Sequence, residues 1–487
     1  MKRRSLPFNP ARGLIYLLSA LFLAILVLPI STMGQVYPPN FKFIKVPNPL
    51  SGDNPIYPLI ARTVPAPGQS FTDSRFSTVQ TRITQSSTLR HEYSRFDPFN
   101  CQRTLLLLLD SSTSEWRVYR TQSLPYDQPA NLVRTINNLA ELRWDPQDSD
   151  ILWGFRDFSI IKLNVETGAE TLVKDFAADP VISPILLANP LIYHVTCMNE
   201  GESSRDKRFW ALALQNGDDP AHPEWSYIYK YLFTWDRLQN QVLGTYPLSL
   251  AQGQRLDWVG MSTLGNWVLI AGESEAGVPP NWGLLMASKD FSVLHELHQN
   301  TGHADVGLDS RGREVIVMQN AQTDYVDLIP LDLQAKPVNS PADYNNNVIK
   351  PLVFLYYNSE SPISMNSTGI HISCNYSGYA LVSTYIQPNL TDRNWLDRCF
   401  ILVRLDPNKV RAVYLAKTYN TTQQYWEETH GTISNDGSRI VWVDNWGQSV
   451  TEPQMPQLTL TQLDMPPHWQ NQFTPPMPPV LSLLLGD

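Results

Sequence analysis

Short strand-like runs separated by turn residues recur from residue 76 to about residue 464, in units of roughly 45 to 70 residues, and a repeat on that scale admits few folds. One such unit cannot bury its own apolar face, so successive units must stack. The clearest copy has four runs beginning at Glu141, Ile151, Ile160 and Thr171, the last entered through Thr167 and Gly168. Other copies begin near His91, Asp257, Gly302, Gly369 and Thr429, and a degenerate one spans 181–246. The expected fold is therefore all-β: a seven-bladed β-propeller with four-stranded blades. An open terminal blade would expose an unpaired backbone edge, so the ring has to close. Residues 79–84 precede the first copy and have no blade of their own. They are expected to complete the last blade, so that an N-terminal strand closes the ring.

Composition agrees with this reading, since 14 Trp, 21 Tyr and 38 Pro suit aromatic-rich strands joined by Pro-containing loops. The net charge of -9 comes with no basic stripe, which argues against nucleic acid as a partner. Residues 1–12 are basic and 13–30 are uncharged and apolar, the pattern of a signal peptide or signal anchor. Basic residues ahead of the apolar run predict an extracytoplasmic body, secreted, periplasmic or tethered to the membrane only by its N-terminal segment. The expected organisation is leader 1–34, a Pro-rich surface segment or stalk 35–75, propeller 76–464 and a Pro-rich tail 465–487. The four cysteines have no tight pair spacing, resemble no zinc site and are expected to be mostly free and buried.

Laying the copies over one another at the start of their first strands brings histidine into register. His91, His303, His371 and His430 hold that position in four copies, Arg143 or Trp144 and Trp258 hold it in two others, and His194 lies one strand later in the degenerate copy. Neutral imidazole is a common ligand of divalent transition metals. His303, His371 and His430 are the candidate ligands for a divalent metal (Mn, Zn, Fe, Ni or Ca). Asp305 follows His303 by two residues and in a strand projects to the same side. With His91, Arg143, His194 and Trp258 it makes the expected ligand-binding set around the channel mouth. The competing reading is that these imidazoles are structural and hydrogen-bond neighbouring blades. A nucleotide-binding glycine loop, an HExxH pair and an EF-hand string are all lacking.

At His303, His371 and His430, and in the run from Glu428 through His430 to the Asn435-Asp436-Gly437 turn, the chain resembles the oligogalacturonate lyase family. The resemblance implies a propeller whose histidine cluster holds a divalent metal. It departs from the family where a paired His-x-His becomes Glu428-x-His430. The repeats also resemble WD-type propellers. The family resemblance implies a carbohydrate or other small polar ligand, and elimination on a uronide, with Arg143 or His194 contacting the substrate. The alternative expectation is a noncatalytic scaffold that recognises a protein of the cell envelope.

Overall fold

The computed structural model describes residues 37–273, 283–355, 369–406 and 408–473. The expected leader and the end of the expected tail, 474–487, lie outside the described residues. The chain divides into two compact units, Met1–Pro38 and Pro39–Asp487, and the fold described below belongs to the second. No helix among the described residues is long and apolar enough to cross a membrane.

The described residues form seven antiparallel sheets arranged as propeller blades. Their innermost strands are Leu89–Arg90, Ala140–Trp144, Ile192–Thr196, Leu256–Met261, Ala304–Leu308, Gly369–Ser373 and Thr432–Ile433, which define blades 1 to 7. Many inner and middle strands are buried along most of their length, not on alternate residues. Leu105–Asp110 and Val268–Gly272 are examples, and the latter is buried at every position. The physical cause is that each blade is sandwiched between two others, so both of its faces lie in a core. Outer strands such as Glu170–Asp175 have solvent on one side and carry charge.

Seven apolar clusters fill the seams between consecutive blades. The seam joining blade 7 to blade 1 holds Val441, Val443 and Leu460 against Leu89, Phe99 and Leu106, with Ile83 between them. Val79–Arg82 pairs antiparallel with Thr459–Asp464, the last strand among the described residues, through Gln80 opposite Leu463 and Arg82 opposite Thr461. The ring is thus closed by an N-terminal strand in blade 7, and Ser70–Thr72 adds a fifth strand outside it. Upstream, the chain lies along blades 5 and 6. Val46 N–H donates to Ala412 O at 2.9 Å, and Phe354 N–H to Pro49 O at 2.8 Å. All four cysteines are free, and Cys197, Cys374 and Cys399 are buried.

Blade 5 contains a buried carboxyl with a consequence for stability. Asp327 accepts hydrogen bonds from Tyr344 Oη at 2.6 Å and Asn320 Nδ2 at 2.8 Å, yet burial pushes its pKa up to about 7. The folded protein then holds this proton where the unfolded chain, at 3.8, has lost it. The group's contribution to stability is complete below that unfolded value and is lost as pH rises through about 7. Asp327→Asn is expected to lose no stability at this position between pH 4 and 8. Its unfolding free energy should gain on the wild type by about 2 to 4 kcal/mol across that range, read by urea denaturation. A gap that stays constant with pH would mean that the carboxyl titrates normally.

Candidate metal centre

The seven inner strands surround a central channel. At the end where those strands begin, here the upper mouth, several imidazoles come together. Tyr425–Glu427 forms a single 3-10 turn ahead of blade 7, held because buried Glu427 accepts from Gln423 N–H at 2.8 Å and Val450 N–H at 2.6 Å. Glu428 ends the turn. His430 follows in a left-handed backbone conformation (φ 45°), which disfavours a residue with a Cβ by about 1 to 2 kcal/mol. Glu428 Oε2 lies 2.8 Å from His371 Nε2 of blade 6 and 3.1 Å from His430 Nε2. One donor atom from each of His371, Glu428 and His430 falls within 4.8 Å of the others, a set able to hold a metal ion. The His371 ring stacks on Tyr385 with centroids 5.5 Å apart. A Cβ on residue 369 would stand 2.4 Å from Tyr385 Oη, so glycine there is what admits the tyrosine.

The imidazoles are held neutral. Burial, helped by the charges of Arg90 and Arg95, keeps His371 far below its ordinary pKa; burial, the neighbouring His371 and Arg90 do the same for His430. His91 and His303 are lowered to about 3, again chiefly by burial. A neutral imidazole is the form that ligates metals. Burial raises the Glu428 carboxyl, opposed by His303, by a hydrogen bond from Tyr385 and by Arg90.

The donor set can be tested against a divalent cation through its protons. Arg90 donates to His430 Nδ1, and a guanidinium cannot accept, so the His430 proton sits on Nε2 and is donated to Glu428. His371 is less constrained, because its Nδ1 has no hydrogen-bond partner. His371 Nε2 also donates to Glu428, and it becomes a ligand once its proton moves to the unpartnered Nδ1, a shift that no neighbour opposes. His430 fits once its proton moves to Nδ1 and Arg90 turns away.

The other expected site residues are placed less uniformly. His303 packs against His371 with centroids 4.7 Å apart, and its Nδ1 lies 3.3 Å from Tyr93 Oη, but Glu428 takes the third place in the donor set. His91 Nε2 donates to the His430 backbone carbonyl at 2.5 Å, the blade-tying contact of the structural reading. His194 belongs to the inner strand Ile192–Thr196 of blade 3, not to a later strand, because the helix Ile182–Ala188 occupies the start of the degenerate copy. It packs on Tyr193 with centroids 4.0 Å apart and bonds Gln215, so it is not brought to the cluster. Arg143, Trp258 and Asp305 line a different cavity, at the end where the inner strands finish, here the lower mouth.

The upper cavity encloses about 450 Å³ and is bordered by His303, Glu428, Tyr93, Tyr425 and His298. Arg95 and Glu200 border both cavities. They are paired at 3.2 Å, with the guanidinium over Trp258 at 4.5 Å. Tyr93, Arg95 and His298 carried no sequence signal, since none recurs at its repeat position. Glu428 did carry one, in its i, i+2 spacing from His430.

No protein-family profile and no curated protein sequence matches the chain. Among solved structures, the chain is similar to an oligogalacturonate lyase in complex with manganese, at 11% identity and TM-score 0.52, over 83% of this chain and 97% of that one. An oligogalacturonate lyase from Vibrio parahaemolyticus gives 10% identity and TM-score 0.50, over 82% and 97%. A WD40 domain of Toxoplasma gondii coronin gives 8% and 0.41, over 81% and 92%. At such identities the likeness to the two lyases shows the fold alone.

Proposed function

We propose that the protein binds a divalent metal through His371, Glu428 and His430 and cleaves an acidic sugar, held in the upper cavity, by β-elimination. The observation that carries this reading is the convergence of two neutral buried imidazoles and a carboxylate beside a cavity of about 450 Å³. The fold shared with a manganese-bound oligogalacturonate lyase supports it. A bound cation would supply Lewis acidity towards the sugar carboxylate and so acidify the adjacent ring C–H.

His303 is the proposed base. It borders the same cavity and is neutral, and Tyr93 lies on its Nδ1 side. Its depressed pKa makes it a weak base until an anionic substrate raises it. In the step itself, the imidazole takes the proton at C5 and the C–H electron pair becomes the C4–C5 double bond. The C4–O4 bond breaks, and the departing oxygen takes a proton from water. His303→Ala is expected to lower the rate by about 10²- to 10⁴-fold, the usual contribution of a general base. The assay follows the ultraviolet absorbance of unsaturated product across a panel of oligouronides. A flat trace from metal-loaded wild type over the whole panel would overturn the proposal. Export rests on residues 1–30 alone and is tested by cell fractionation.

A further inference from the structure

The lower cavity encloses about 340 Å³, and the Arg95–Glu200 pair stands between it and the histidine cluster. Its wall is uneven in unmet hydrogen-bonding capacity. Arg95 Nε and Arg143 Nε are buried with no hydrogen-bond partner. Lys207 is 6% exposed, and its ammonium makes no hydrogen bond or ion pair with the described residues. A charge on so sheltered a residue is normally paired.

The carboxyls of the same wall are mostly engaged. Asp97 accepts from Asn435 N–H at 2.7 Å and Phe99 N–H at 2.9 Å. Asp305 accepts from Cys374 N–H at 2.5 Å and Val306 N–H at 2.7 Å. Asp436 pairs with Arg103 at 3.0 Å. Glu202 is the exception: it is partly exposed and reaches only to 3.7 Å from Arg143 Nε. The unmet groups are therefore donors: the two guanidinium nitrogens are sealed in beside aromatic rings, Arg95 over Trp258 and Arg143 over Phe96, and the Lys207 ammonium is the one left to meet a ligand.

We infer that the lower cavity is a second ligand site, separate from the histidine cluster, and that it takes a small molecule carrying a carboxylate or phosphate group. The ligand's oxygens would accept from Lys207 Nζ, with the guanidiniums of Arg143 and Arg95 adding positive charge to the wall, and Glu202 competes as the internal anion until the ligand enters. The inference does not depend on the lyase reading.

Titration calorimetry on the full chain, with malonate and inorganic phosphate as separate probes, tests it and tells the two anion classes apart. Saturable binding of at least one probe is expected, weakened about tenfold or more in Lys207→Met, as for loss of one charge-assisted hydrogen bond. Glu202→Gln should tighten it, and His371→Ala should leave it unchanged. Absence of binding by both probes overturns the inference, as does a signal that survives Lys207→Met or disappears in His371→Ala. Should Lys207→Met not fold, acetylation of the wild type with acetic anhydride decides the matter by peptide mass spectrometry. Lys207 shielded by the bound probe supports the site, and equal labelling with and without probe overturns it.

Discussion

His371→Ala is expected to lose divalent-metal binding, with affinity falling by at least about 100-fold, since loss of an outer partner alone costs about 10- to 100-fold and His371 is a direct donor. The side chain is fully buried, its Nε2 lies 2.8 Å from Glu428, and its Nδ1 has no partner and is free to take the ring proton when Nε2 ligates. Elemental mass spectrometry after dialysis, followed by calorimetric titration with manganese and zinc, reads the effect. His91→Ala is the control. Its imidazole bonds the His430 backbone, so metal should be kept while thermal stability drops. If His91→Ala empties the protein of metal and His371→Ala does not, the donor set has been drawn wrongly. Metal-free wild type would remove the centre altogether.

Ile83→Ala should cost about 2 to 5 kcal/mol in urea unfolding, the range for truncating a fully buried branched side chain. Ile83 is 0% exposed in the seam where the last blade meets the first, and its N–H donates to Leu460 O at 2.8 Å. That seam is joined only by non-covalent contacts and a strand supplied from the far end of the chain. Amide exchange is accordingly expected to rise first in Thr459–Asp464 and Leu89–Arg90. Leu172→Ala, on the outer strand Glu170–Asp175 and largely exposed, should stay within about 0.5 kcal/mol of wild type. Equal losses in the two variants would mean that the seam does not control stability.

The architecture was legible because it is periodic. Each blade repeats the same alternation of apolar run and turn, so starts at His91, Glu141, Asp257, Gly302, Gly369 and Thr429 could be read one against another, and the unpaired run at 79–84 pointed to the closing strand. The degenerate copy was misaligned, since a helix, Ile182–Ala188, replaces the expected strand pattern there; Arg143 lies near the end of Ala140–Trp144, not at its start, and His91 follows Leu89–Arg90.

The register of histidines at strand starts likewise brought His303, His371 and His430 together on the page before any coordinates did. The chain alone determined the ring, its closure and the imidazole-rich mouth, because local strand propensity and a repeated apolar pattern are properties of sequence. The partners of those imidazoles were decided by tertiary structure. Whether Glu428 or His303 completes the donor set, and at which mouth Arg143, Trp258 and Asp305 lie, depends on ångström-scale positions of side chains from different blades. Residues far apart in the chain meet there only because the ring closes, and no spacing along a single chain encodes that meeting.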